Sequence, residues 1–527
     1  MSGLAGIWTL VRFTVRRDRF RIAVWVVCVT ALVVVTAASI KGLFPTQADL
    51  DQAAAASSRN AAVIAFNGPV QGLDTVGGEV AFQSGTFGLI LVALMSLLMI
   101  GRCTRVEEES GRTELLRAAV LGRAAPAAAA LVVVTGMNVL IGVTVAISLI
   151  PQGLPTAGSV AFGASFLAIG LVFSALALLT AQVSENSRVG SGIAGAVLGY
   201  AFAMRAIGDI GDGRLSWLSP IGWSQKPRPF AGERWWPFAI PLAGTVVLLV
   251  IAGAIIARRD LGAGLIRPRP GPAAAAPSLA RPLGLAVRLQ RGMLVAWTAG
   301  LLVLGFVYGA IADDVQDFVG GNQTLKELMA AAGGGSLVDA YFGTAMLTVA
   351  LIASGFAVQS VQRLRGEETA MHAEYVLATA VSRNRWLTGH LAVALGGSVV
   401  LMAAAGLGAG VPYAAETGNA GQIATLLGAA LTHVPAIWLL AGVATALYGL
   451  APRALSAAWA VLAVCFVIGF FGDLLKPPHW VIELSPFQHT PQLPAARFAL
   501  TPVVMLLAIA AALVATGCTA FRRRDVG

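Results

Sequence analysis

Uninterrupted apolar runs long enough to cross a bilayer recur along this whole chain, and nothing else in it constrains the fold as much. A helix needs about 20 residues to span the hydrocarbon core. Such runs lie near 20–42, 82–101, 126–150, 158–183, 187–208 and 236–257, then near 293–312, 343–362, 386–411, 422–447, 454–472 and 498–520. Helices are the open-ended way to satisfy backbone groups in lipid, so the sequence predicts an all-α polytopic membrane protein of about 12 transmembrane helices. A large soluble protein with a greasy core is the alternative. It fails on charge: 57% of the 527 residues are hydrophobic and only 12% charged, against about a quarter charged in soluble domains.

The net charge of +10 is read through membrane topology rather than nucleic-acid binding. One set of loops holds Arg12, Arg16, Arg17, Arg19 and Arg21, the stretches Arg102–Arg123 and Arg363–Arg385, and Arg188, Arg258, Arg259, Arg453 and Arg522–Arg524. The other set holds Asp49, Asp51, Asp74, Glu79, Asp209, Asp212, Asp313, Asp314, Asp317, Glu416 and Asp473. The basic side is expected to be cytoplasmic, with both termini on it and an even number of spans. The apolar run that follows the basic N-terminal cluster, ending near Ile40, is too long for a signal-peptide core and reads as a retained span. Cys28, Cys103, Cys465 and Cys518 sit in or beside apolar runs without CxxC spacing, which predicts no disulfide framework and no metal site.

Between the sixth and seventh runs lies the stretch Arg267-Pro-Arg-Pro-Gly-Pro-Ala-Ala-Ala-Ala-Pro277. Such a composition makes a semi-rigid linker. The expected organisation is a six-helix half over 1–260, a linker over 261–284 and a second six-helix half over 285–527. The two halves echo each other. Arg105-Val-Glu-Glu-Glu-Ser-Gly-Arg-Thr-Glu-Leu-Leu-Arg-Ala118, ending at Arg123, aligns with Arg365-Gly-Glu-Glu-Thr-Ala-Met-His-Ala-Glu-Tyr-Val-Leu-Ala378, ending at Arg383, with six identical positions. Leu218-Ser-Pro220 echoes Leu484-Ser-Pro486, Arg19 with Trp25 echoes Arg291 with Trp297, and Gly208-Asp209 echoes Gly472-Asp473. The sequence thus predicts a parallel duplication, its halves related by a pseudo-two-fold axis along the membrane normal.

The duplicated charged segment is expected to form a short amphipathic helix at the membrane surface, with Glu107, Gly111, Glu114 and Ala118 along one stripe. The pattern Glu-Glu-x-x-Gly-x-x-Glu-Leu-Leu closing on an Arg resembles the coupling helix of ABC export permeases. The layout of two fused six-span halves resembles the actinobacterial polyketide-antibiotic (tetronasin-like) and multidrug exporter permeases. The second copy departs from the pattern at Met371, where the first has Gly111, and at Tyr375-Val376, where the first has Leu115-Leu116. The resemblance implies that Glu107, Glu108, Gly111, Arg112, Glu114 and Arg123, with Glu367, Glu368, Glu374 and Arg383, dock a separate ATPase subunit. It implies two copies of that subunit, which bind ATP and Mg, and no cofactor on this chain. It also implies export of a hydrophobic antibiotic, drug or lipid through a cavity lined by the second and fifth spans of each half. Those spans offer Phe87, Met95, Met99, Phe202, Met346 and Phe466.

The chain holds no Gly-x-x-x-x-Gly-Lys-Ser/Thr loop, so hydrolysis by that route would have to come from elsewhere. It reads as a transport subunit, not an enzyme. The rival is an ion-coupled secondary transporter, which needs ionisable groups deep in the membrane. No Asp or Glu falls in the central part of a run; His433 is the ionisable group near mid-span, and hydrogen-bonded packing is its simpler role.

Overall fold

The computed structural model describes residues 4–59, 61–111, 121–259, 262–266, 271–312, 337–475, 478–491, 493–495 and 498–524. Contacts divide the chain into two compact units, Met1–Gly271 and Pro272–Gly527, so the dividing point falls in the Pro/Ala-rich stretch. Among the described residues every regular element is helical. In the first unit the long helices are α1 (Ile7–Leu43), α2 (Val76–Cys103), α3 (Ala125–Leu149), α4 (Thr156–Val183), α5 (Ser187–Ile210) and α6 (Ala239–Arg258). In the second they are α7 (Pro282–Ala310), α8 (Leu337–Thr369), α9 (Arg383–Thr417), α10 (Gly421–Leu450), α11 (Ala457–Leu475) and α12 (Leu500–Arg523).

Each helix coincides with an apolar run of the sequence. Eleven of them are long and apolar enough to cross a membrane; in α11 the qualifying apolar stretch, Ala457–Gly469, is shorter. The expected continuous tenth span is in fact two pieces, Gly421–Leu431 and Val434–Leu450, joined at Thr432 and His433. Pro435, in the first turn of the second piece, has no amide hydrogen to bond the preceding turn. The broken position is filled from the 485–491 segment: His433 Nδ1 and Thr490 Oγ1 are 2.9 Å apart, and both residues are buried. His433 is therefore a packed, hydrogen-bonded residue.

The segment preceding the last long helix of each unit runs inward. In the first unit Ser216, Ser219 and Ser224 have no exposed surface, and Ser219 Oγ bonds the Ala201 carbonyl of α5 at 2.6 Å. In the second, Ser485 and Phe487 are buried. In both Leu-Ser-Pro motifs the serine is fully buried while the leucine is exposed. The loop after α1 carries two short helices, Gln47–Arg59 and Ala61–Asn67; the corresponding loop at 313–336 lies outside the described residues. Arg205, fully buried in α5, faces Asp209 at 3.6 Å and donates to the Ile64 and Phe66 carbonyls at the end of the second short helix. A guanidinium suits the negative end of a helix. Glu79 was expected in an outer loop. It sits instead in the first turn of α2, 1% exposed, where it accepts a 2.7 Å bond from Gln83.

Helix pairs close on small residues. A Cβ on Gly305 of α7 would lie 2.2 Å from the Ala405 carbonyl oxygen of α9, and one on Gly309 2.2 Å from that of Ala409. In membranes, where water does not drive helices together, such close backbone approach supplies the packing energy. Gly309→Leu should therefore destabilise the second unit by about 3 kcal/mol, because a backbone neighbour cannot move aside. Gly300→Leu, on the same helix with open space at its Cβ, should be neutral. Thermal melting of the detergent-solubilised protein followed by size-exclusion fluorescence checks both.

Candidate functional site

The Arg-rich ends of the helices hold the densest polar chemistry of each unit. In the first unit α2 ends at Cys103, and a short helix, Arg105–Glu109, follows. Arg105 is 2% exposed and fixed on three sides. It donates to the Glu185 carbonyl at 3.1 Å, to Glu108 Oε2 at 2.5 Å and to the Gly262 carbonyl at 2.9 Å. Glu108 also takes a two-oxygen bond from Arg259, at 3.0 and 2.8 Å. Arg259 is the residue on which α6 ends. Its carbonyl in turn accepts from Arg123, just before α3.

The same four roles recur in the second unit. Arg365 lies 3.1 Å from Glu368, Arg524 donates to Glu368 at 2.6 Å, and Arg383 donates to the Arg524 carbonyl at 2.6 Å. Arg524 is the residue on which α12 ends, and it also rests over the Tyr448 and Phe521 rings. Charge-assisted bonds of this kind are short and strong. Leaving one member buried without its partner costs about 3–5 kcal/mol.

The turn that follows each clasp has one conformation. Gly111 has φ 70° and donates to the Glu108 carbonyl at 3.1 Å; Met371 has φ 62° and donates to the Glu368 carbonyl at 3.0 Å. The mismatch between Gly and Met in the sequence therefore hides an equivalent left-handed turn. That turn also corrects an expectation. In the second unit the left-handed residue ends the helix, so Glu367 and Glu374 lie on two separate helices. In the second unit the chain restarts as His372–Leu377, with Tyr375 78% exposed. Arg112 and Glu114 lie outside the described residues.

Three further acids near the turns are also engaged, while Glu374 is exposed. Glu107 binds Arg17 at 2.7 Å, Glu109 takes the Ser187 amide and hydroxyl at 2.5 and 2.6 Å, and Glu367 binds Arg363 at 2.6 Å. Glu367 and Glu368 are each 8% exposed. Sequence reading missed Arg105 and Arg365 as members of the site, having used them to align the repeats, and missed Arg259 and Arg524, having used them only for topology. It also missed Asp18, which is buried and binds Arg17, Arg21 and Arg102 at 3.0, 2.5 and 3.1 Å. A lone acid in a run of five Arg was the available signal.

The residues expected to line a cavity are placed within their own units. Met95 and Met99 lie in the packed core of the first unit and Met346 in that of the second. Phe87 and Phe466 are exposed, and Phe202 packs edge-on against Phe66 at 5.7 Å. A small cavity of about 40 Å³ lies where α2, α4 and the segment before α6 meet, lined by Asn67, Phe82, Phe162, Ser165, Ser224 and Gln225 among others.

A family model described as "Multidrug efflux system permease Rv1217c, C-terminal domain" matches residues 279–522. Over 528 aligned residues the chain is 42% identical to the "Multidrug efflux system permease protein Rv1217c" of Mycobacterium tuberculosis (strain ATCC 25618 / H37Rv), covering 100% of this chain and 96% of that relative. The chain belongs to this family. It is a multi-pass membrane permease, the transport subunit of a system with further components.

The left-handed turns generate a stability prediction. A side chain in that conformation costs about 1 kcal/mol, which glycine avoids. Met371→Gly should raise thermal stability by about 1 kcal/mol and Gly111→Met should lower it by about as much, read by melting of the solubilised protein.

Proposed function

We propose that this chain is the membrane-spanning permease of an ATP-driven exporter of ABC type. In this reading it expels hydrophobic drugs or antibiotics from a bacterial cytoplasm, and a separate subunit, present in two copies, binds Mg and ATP and hydrolyses it. The Arg-rich side and both termini then face the cytoplasm, and the two units descend from one duplicated six-helix half. One observation carries the reading. Each unit presents a left-handed turn between its second and third long helices, held from behind by the same Arg-Glu-Arg clasp. Two equivalent, rigidly backed turns suit two copies of one soluble partner. The 42% identity to a multidrug efflux permease over the whole chain supports drug efflux as the task.

Glu367 and Glu368 are buried and Glu108 is held by two guanidiniums, which moves the docking surface. The contact falls to the exposed side chains of the turn, Met371 and Tyr375 in the second unit, which are 53% and 78% exposed. Exposed aromatic residues are the usual anchors of interfaces. Tyr375→Asp should reduce the ATPase recovered with affinity-tagged permease about tenfold, the loss expected for one interface anchor. Insertion and melting temperature should not change. Undiminished ATPase on the Tyr375→Asp protein would remove the turn from the docking surface, and a wild-type permease that brings down no ATPase would remove the ABC reading.

An ion-coupled transporter is the second reading. Its supporting observation is Glu79, a buried carboxyl whose Oε2 has no hydrogen bond among the described residues. Gradient-driven transport lost in Glu79→Gln, with no requirement for ATP, would favour it.

A further inference from the structure

In each unit the bonds that flank the partner-facing segment meet on a single residue. In the first unit the Glu108 carboxylate accepts from the Arg259 guanidinium with both oxygens. Arg123, just before α3, donates to the Arg259 carbonyl. Residues 369–382 leave from Glu368, bound to the Arg524 guanidinium at 2.6 Å, and return at Arg383, bound to the Arg524 carbonyl at 2.6 Å. In each unit the two straps converge on the residue that caps the closing helix, Arg259 after α6 and Arg524 after α12. The straps join residues 151 and 136 positions apart in the first unit, and 156 and 141 in the second. None of this follows from local helix geometry.

We infer that Arg259 and Arg524 are positioning residues that transmit force, locking each partner-facing turn to the end of α6 or α12 so that turn and closing helix move as one body. The inference rests on the ATP-driven reading and deepens it. α2 and α8 lead directly into their turns, so a push on a turn reaches them through the backbone. α6 and α12 have no such covalent route and depend on the clasp. The side chains suit the task. Arg259 and Arg524 are only 8% and 19% exposed at the side chain, so water competes weakly with the bonds. One Arg259 nitrogen, Nη2, bridges both Glu108 oxygens, and Arg524 Nη2 donates to one Glu368 oxygen, so each strap is a charge-assisted bond made through a single nitrogen. The backbone strap adds a second fixed point, so the helix end cannot pivot about the first. Arg524 is held further by the Tyr448 carbonyl at 3.1 Å.

The two ends of the clasp have distinct jobs, and variants separate them. Arg259→Gln with Arg524→Gln leaves the exposed turn residues in place but cuts the side-chain strap in both units. The test uses the tagged permease purified with its accompanying ATPase, reconstituted in vesicles and given MgATP and a lipophilic fluorescent dye. Three quantities are read: ATPase recovered, ATP turnover, and dye moved per ATP. The Gln pair should retain the ATPase and its turnover while dye moved per ATP falls about tenfold, within the range of couplings between distant sites. Arg259→Lys with Arg524→Lys keeps the charge and should recover most of the ratio. A wild-type ratio in the Gln pair, a Lys pair no better than the Gln pair, or loss of the ATPase from the Gln pair each overturns the inference. The last outcome would make the clasp part of the docking contact. Failure of the ATP-driven reading looks different: the wild-type permease then recovers no ATPase, or moves dye without ATP.

Discussion

A peptide group in hydrocarbon has no water to bond, so each apolar run must close its own ladder of hydrogen bonds. That requirement makes every run in this chain a helix, and it drives almost all formal charge to the helix ends. The consequence is a crowded Arg-rich layer in which acids and guanidiniums must satisfy one another. Asp18 takes three Arg partners there, and Glu108 and Glu368 take two each. The functional geometry grows out of this layer. The bonds that settle stranded charges also decide which helices are tied to which turns.

The two units solve this problem alike where the proposed partner binds and differently elsewhere. The clasp residues correspond one for one, and so do the left-handed turns at Gly111 and Met371. At the start of the first helix of each unit the solutions diverge. Asp18 meets three guanidiniums, whereas Gln290 meets Ser360 at 2.5 Å and His390 at 3.2 Å with no charge involved. The part shared is the part that would face identical ATPase subunits. Met371 retains the left-handed turn despite the cost of a side chain there, which points to the turn's shape as the requirement.

Much of the architecture was legible in the sequence because hydropathy and the bilayer leave few choices. The twelve long helices fall on the apolar runs, and the charged echo at 105–123 and 365–383 marks the turns. What was hidden depended on contacts distant in sequence. Pro412 sits inside an unbroken helix while Pro435 accompanies a break, so proline alone did not decide α10; the fit of His433 against Thr490 did. A continuous helix through Glu367 and Glu374 was a fair reading of spacing, but the single left-handed residue Met371 divides it. Arg259 and Arg524 looked like topology markers because their carboxylate partners lie more than a hundred residues earlier. Exposed acids on a docking helix and buried acids in a clasp are written with the same letters.

The central claim is that energy enters through the turns from a separate ATPase. The most direct measurement is dye transport into vesicles holding the purified permease–ATPase complex, with ionophores present to collapse proton and sodium gradients. The account predicts transport that requires MgATP and persists when the gradients are gone. Transport by the permease alone, driven by an imposed gradient and indifferent to MgATP, would contradict it.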